Sequence, residues 1–163
     1  MKLIWIVLLA VAATFGLALF VDPPATLDIW VLRKQAILFT GVASFALMSL
    51  IMLLAVRPVW LERPLDGLDR MYRAHKWAGI LAIVLGLLHY LMELGGPLLA
   101  EFIAKPAKGP RVETFLDVFR GSAKDLGEWS AWLLAAMLVI TLWQRFPYHL
   151  WRYVHKTLAV VYL

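Results

Sequence analysis

Three histidines, His75, His89 and His155, are the residues of this chain best suited to chemistry. His75 and His89 lie in YRAHKWAGILAIVLGLLHYLMELG, the stretch from Tyr72 to Gly95. On an α-helix, a separation of fourteen residues sets them roughly 21 Å apart and within about 40° of one face. A hydrocarbon core is roughly 30 Å thick, so one imidazole falls near each of its sides. Between them on that face stand Gly79, Ala82 and Gly86. The result is a groove of small residues with an imidazole at each end, a surface that two flat cofactors could use. The same small residues also suit the close approach of another helix. Ionisable residues inside a membrane are expensive and usually functional, which favours the groove over simple packing.

His155 opens the last apolar stretch, at a depth similar to His75. Two imidazoles on facing helices at one depth can ligate one iron from opposite sides. Imidazole is a fitting axial ligand for haem, and two of them leave no open position, which suits electron transfer. His89 needs a partner one layer further out, about 13–14 residues after His155 by the same helical arithmetic, and the sequence stops first at Leu163. Arg152, three residues before His155, is placed to pair with a propionate or to anchor the helix as a positive-inside residue. Arg73 and Lys76 are weaker candidates of the same kind. His149 points about 240° away from His155 and reads as an interfacial residue. Arg120 and Lys124 read as solvated loop residues, with attraction of an anionic acceptor as the other possibility. The absence of cysteine excludes disulfides, iron–sulfur ligation by this chain and haem attachment through C-x-x-C-H. No G-x-G-x-x-G or H-E-x-x-H motif occurs, so neither a dinucleotide site nor a zinc-protease site is encoded.

The elements that must hold these residues are apolar helices. Of the 163 residues, 63% are hydrophobic, against about 45–50% in a soluble domain. The composition predicts an all-α integral membrane bundle, with four complete spanning helices and the start of a fifth. The spans are Leu3–Phe20, Ala36–Val56, Tyr72–Gly95 and Leu126–Phe146, and His149–Leu163 opens the fifth. Leu3–Phe20 is longer than a signal-peptide core of about 7–15 residues and lacks an A-x-A site, so it reads as a retained helix. Thr26–Gln35 reads as a short amphipathic connection, Val59–Arg73 as a polar, proline-broken segment, and Leu98–Asp125 as the longest connection. Thr114–Phe119 is a candidate surface helix within it. Thr40, Ser44 and Ser49 in the second span are expected to bond their own helix or a neighbour. Only seven residues follow Lys156, so the sequence is expected to be part of a longer chain.

Charge sets the topology. The segments 57–76 and 145–156 carry Arg57, Arg63, Arg70, Arg73, Lys76, Arg145, Arg152 and Lys156 against Glu62, Asp66 and Asp69. Basic loops stay cytoplasmic, which places Lys2 and the N-terminus inside and the charge-balanced 98–125 segment outside. Arg33 and Lys34 run against this scheme. The net charge of +5 is explained by these flanks, and nucleic acid is not an expected partner.

The run LDGLDRMYRAHKWAGI from Leu65, followed by LHYLM, resembles the third helix of the ferric reductase-like transmembrane domain family, which includes NADPH oxidases and many bacterial flavocytochromes. FRGSAKDLGEW at 119–129 and FPYHLWRYVHKTLA at 146–159 are similar to the family's fourth-helix start and fifth-helix start. The resemblance covers roughly Val56–Leu163. It implies haem ligands on the third and fifth helices, here His75, His89 and His155. It also implies a sixth helix and two b-type haems in a full-length member, the inner one held by His75 and His155. FAD and NAD(P)H would enter only through a further cytoplasmic domain or a partner protein. The implied activity is transfer of electrons from that donor across a bacterial inner membrane to an external acceptor, oxygen or ferric iron. On that reading the chain is the membrane part of an oxidoreductase, incomplete as an enzyme by itself. A stand-alone haem subunit feeding a periplasmic oxidoreductase, as in methionine sulfoxide repair, is an alternative. A cofactor-free scaffold or transporter, with histidines serving packing or a proton relay, is the alternative of another class.

Overall fold

A computed structural model describes residues 2–106, 117–143 and 146–162. The described residues form helices and no strand: α1 (Lys2–Val21), α2 (Ile29–Val56), α3 (Val59–Glu62), α4 (Leu68–Leu94), α5 (Gly96–Phe102), α6 (Asp117–Leu142) and α7 (Tyr148–Tyr162). Among them α1, α2 and α4 are long and apolar enough to cross a membrane. The chain divides into two compact units, Met1–His89 and Tyr90–Val161.

In the first unit, α1 covers the expected retained helix and ends before Asp22-Pro23-Pro24. The second helix differs from expectation at its start. It begins at Ile29, so most of the connection expected over Thr26–Gln35 is helical. The cause is a cap: the Asp28 carboxylate accepts the Val31 N–H at 2.9 Å, and Thr26 Oγ1 donates to its other oxygen at 3.1 Å. Capping satisfies an amide that the first turn leaves without a helical partner, and this nucleates the helix before the apolar run begins. The 28 residues of α2 make about 42 Å, more than a roughly 30 Å core needs. Arg33 and Lys34 therefore sit on the overhanging end, outside the hydrocarbon, and still run against the orientation read from the basic loops. At the other end Arg57 turns left-handed at φ 53°, its N–H reaching Leu54 O at 3.3 Å, and Pro58 prevents continuation.

The segment after Pro58 holds the short α3 and a turn through Asp66 (φ 57°) and Gly67 (φ 103°). Gly67 meets this backbone without the Cβ penalty, and its N–H closes the turn on Glu62 O at 3.1 Å. α4 then starts at Leu68, four residues earlier than the sequence reading placed it. Asp66 with Arg70, and Asp69 with Arg73, pair at helical spacing and support its exposed first turns.

α1, α2 and α4 share one core. Ile4, Leu47, Leu50, Leu54, Met71, Ala74, Ala78 and Ala82 are its buried members, joined by Leu61 of α3. Leu47 and Ala78 are 0% exposed. The division of labour is physical: α2 supplies the bulk, and α4 supplies alanines every four residues, so the two backbones come close. Lipid is as apolar as leucine, so packing rather than transfer from water holds such helices together. Phe15 of α1 and Phe39 of α2 add an edge-to-face contact at 5.4 Å.

In the second unit, α4 ends at Leu94, one residue short of the expected span end at Gly95 and just before Gly96-Pro97, and Gly95 N–H caps it on Leu91 O at 2.9 Å. The expected long connection is more helical than its composition suggests. It begins with α5, which Pro97 opens, and α6 starts at Asp117, well before Leu126. Lys124 and Asp125 thus belong to a helix, and so does Arg120, whose side chain is outside the description. The candidate surface helix at 114–119 falls partly outside the described residues, as do Lys108, Arg111 and Arg145. The apolar part of α6 runs from Trp129 to Leu142, fourteen residues, short of the roughly 20 that a span needs. Tyr90 packs edge-on against Trp132 of α6 at 6.1 Å. Pro147 precedes α7, and its carbonyl accepts the Leu150 and Trp151 amides.

Candidate functional site

His75 and His89 project from one face of α4, and both meet α2. His75 Nδ1 lies 3.1 Å from the Ile51 carbonyl oxygen. His89 Nδ1 lies 2.8 Å from the Ile37 carbonyl oxygen. Midway between them Ser44 Oγ donates to the Ala82 carbonyl at 2.8 Å. Each step of seven residues up α2, from Ile37 to Ser44 to Ile51, is matched by seven residues down α4, from His89 to Ala82 to His75. Two antiparallel helices keep such a register only when they cross at a shallow angle, the geometry of coiled coils and most bundles.

These bonds place a hydrogen on one nitrogen of each imidazole. A carbonyl oxygen can only accept, so Nδ1 carries the hydrogen in both rings. In the neutral ring Nε2 then keeps the lone pair and becomes the ligating nitrogen. An Nδ1–H held by a backbone carbonyl is the usual support of a metal-bound histidine, because it fixes tautomer and aim and raises basicity. Each ring could therefore offer Nε2 to a ligand. Among the described residues no group of three or more His, Cys, Asp or Glu gathers as a metal cluster.

The small residues between the histidines divide. Ala82 is 2% exposed, and its carbonyl is the acceptor for Ser44. Gly86 faces the same hydroxyl, 3.2 Å from where a Cβ would stand. Both are taken up by packing against α2. Gly79 is open, with nothing within 4 Å of its would-be Cβ. The hydroxyls of α2 also divide. Thr40 and Ser49 bond back to Ala36 and Phe45 of their own helix, and Ser44 crosses to a neighbour.

His155, half-buried on α7, stacks on Trp151 one turn earlier, with ring centres 4.7 Å apart and planes 14° from parallel. Trp151 in turn stacks on Tyr148 at 5.7 Å. These contacts orient the imidazole from its own helix. Arg152 is exposed and lies over the Tyr153 ring at 5.8 Å. Arg73 is exposed and pairs with Asp69 at 3.3 Å, and Lys76 is exposed. His149 is exposed on the first turn of α7.

Sequence reasoning missed the Ile37 and Ile51 carbonyls and Gly41, whereas Ser44 takes the second of its two expected partners, a neighbouring helix. A backbone acceptor leaves no residue-type signal. The matching seven-residue steps on two helices were the available clue.

Comparison with curated proteins and with solved structures gives no match. A family model described as ferric reductase like transmembrane component matches residues 40–163. This span begins within α2 and includes both histidine-bearing helices, and the chain belongs to the ferric reductase-like transmembrane family.

Proposed function

We propose that this chain carries electrons across a bacterial inner membrane through b-type haem, from a cytoplasmic flavin or NAD(P)H donor to an external acceptor such as oxygen or ferric iron. The observation that carries this reading is the pair of Nδ1-to-carbonyl bonds on α2. They leave two imidazoles on one helix with the tautomer and support that an iron ligand requires. Haem b, when bound, supplies a one-electron iron couple whose potential depends on axial ligands, burial and hydrogen bonding.

The residues of the chain have distinct parts. His75 and His155 are the axial pair of the inner haem, and His89 is a ligand of the outer layer. α2 accepts the Nδ1–H of each α4 imidazole and so sets the aim of Nε2, and Trp151 holds the ring of His155. Gly79 leaves space for a flat ring on α4. Arg152, Arg73 and Lys76, at or near the ends of their helices, would meet propionates or lipid headgroups. In this reading α6 crosses the bilayer together with part of its polar N-terminal half, α7 is the start of a further span, the N-terminus is cytoplasmic, and a flavin-bearing domain or protein docks at the cytoplasmic side.

The test is the absorbance spectrum of purified protein expressed with ample haem. A low-spin bis-imidazole spectrum is expected. His75→Ala and His155→Ala should each abolish it, because either leaves the same iron with one ligand. His89→Ala should leave it largely intact. Protein without any haem absorbance would overturn the reading in favour of a cofactor-free scaffold. Loss of the signal in His89→Ala but not in His155→Ala would overturn the assigned pairing.

A further inference from the structure

The three bonds between α2 and α4 follow a local rule. In a helix the carbonyl of residue i accepts the N–H of residue i+4 and keeps a second lone pair. A donor reaching that lone pair from a neighbouring helix passes the Cβ of residue i+4. At the Ile37 carbonyl this residue is Gly41, and at the Ala82 carbonyl it is Gly86. A Cβ at Gly41 would stand 2.9 Å from His89 Nδ1 and 3.0 Å from its Cε1, and one at Gly86 would stand 3.2 Å from Ser44 Oγ. Both of these bonds are 2.8 Å long. At the Ile51 carbonyl the corresponding residue is Ala55, and the His75 bond is longer, 3.1 Å.

We propose that Gly41 is a positioning residue for His89: its missing Cβ opens the Ile37 carbonyl to Nδ1 and thereby fixes the depth, tautomer and aim of the outer imidazole. His75 makes the same kind of carbonyl bond at a position where residue i+4, Ala55, keeps its Cβ. The two histidines of α4 thus differ in the strength of their carbonyl support, and the outer one is the more tightly held. The consequence for electron transfer rests on the proposed function, whereas the positioning itself does not.

The experiment uses the whole chain, labelled with 15N-histidine, in lipid nanodiscs. In Gly41→Ala the His89 Nδ1–H resonance should shift and its tautomers should mix, while the His75 resonance stays in place. Ala55→Gly should do the converse, moving the His75 resonance towards a stronger hydrogen bond without touching His89. Gly41→Ala should lower the melting temperature in the native background. In a His89→Ala background it should raise it, because alanine is the better helix former once the clash is gone. With haem bound, Gly41→Ala should weaken whichever haem His89→Ala removes and spare the spectrum that depends on His75. An unmoved His89 resonance, or the same melting shift in both backgrounds, overturns the proposal. If Gly41→Ala does not fold, an unmoved His75 resonance in Ala55→Gly overturns it instead. If no variant binds haem yet the resonances and melting shifts behave as stated, the positioning stands and the proposed function falls.

Discussion

Ala78→Leu tests whether the α2–α4 packing holds the site. Ala78 is 0% exposed, among Leu47, Leu50, Leu54, Met71, Ala74 and Ala82. Leucine adds three carbons where the helices already touch. Overpacking of this kind costs about 1–3 kcal/mol. No transfer gain offsets it, because the alternative surroundings in a bilayer are equally apolar. At roughly 2–4 °C per kcal/mol for a chain of this size, the melting temperature should fall by about 2–12 °C. The same change should reach the site. A shift of α4 by about 1 Å would stretch the two histidine bonds, now 2.8 and 3.1 Å, beyond hydrogen-bond range. Thermal unfolding in one lipid composition reads the first effect, and histidine 15N resonances read the second. Val84→Leu on the same helix is the control: Val84 is 50% exposed, and its change should stay within about 0.5 kcal/mol. The packing argument fails if Ala78→Leu melts with the Val84→Leu control and leaves both histidine resonances unmoved.

Two other expectations test the ends of helices and the topology. Asp28→Ala removes the carboxylate that accepts the Val31 amide and should cost about 1 kcal/mol, seen as faster amide exchange at Val31 and Leu32 with the centre of α2 unchanged; unaltered exchange there would show that the cap does not hold this end. Single cysteines at Arg63, in the turn before α4, and at Lys105, after α5, should react with an impermeant reagent from opposite sides of the membrane, and reaction of both from one side would refute the orientation read from the basic loops.

The sequence alone determined the class and the placing of two histidines on one helix face. Apolar runs of about 20 residues have few solutions other than membrane helices, because backbone groups in lipid must bond within their own segment. Helical arithmetic alone put His75 and His89 on one face, and both do meet the same neighbouring helix. The stop at Gly95-Gly96-Pro97 was legible because proline and glycine act locally. The early starts of α2 and α6 were not, since polar first turns look like loops in composition, and for α2 a single capping side chain decides the matter. Tertiary structure alone decided what the small residues of α4 face. Ala82 and Gly86 meet α2, whereas Gly79 stays open. It also decided the tautomer of each imidazole, because the deciding partners are main-chain carbonyls of Ile37 and Ile51. Every residue carries such a carbonyl, and only the register of two packed helices selects which ones a histidine can reach.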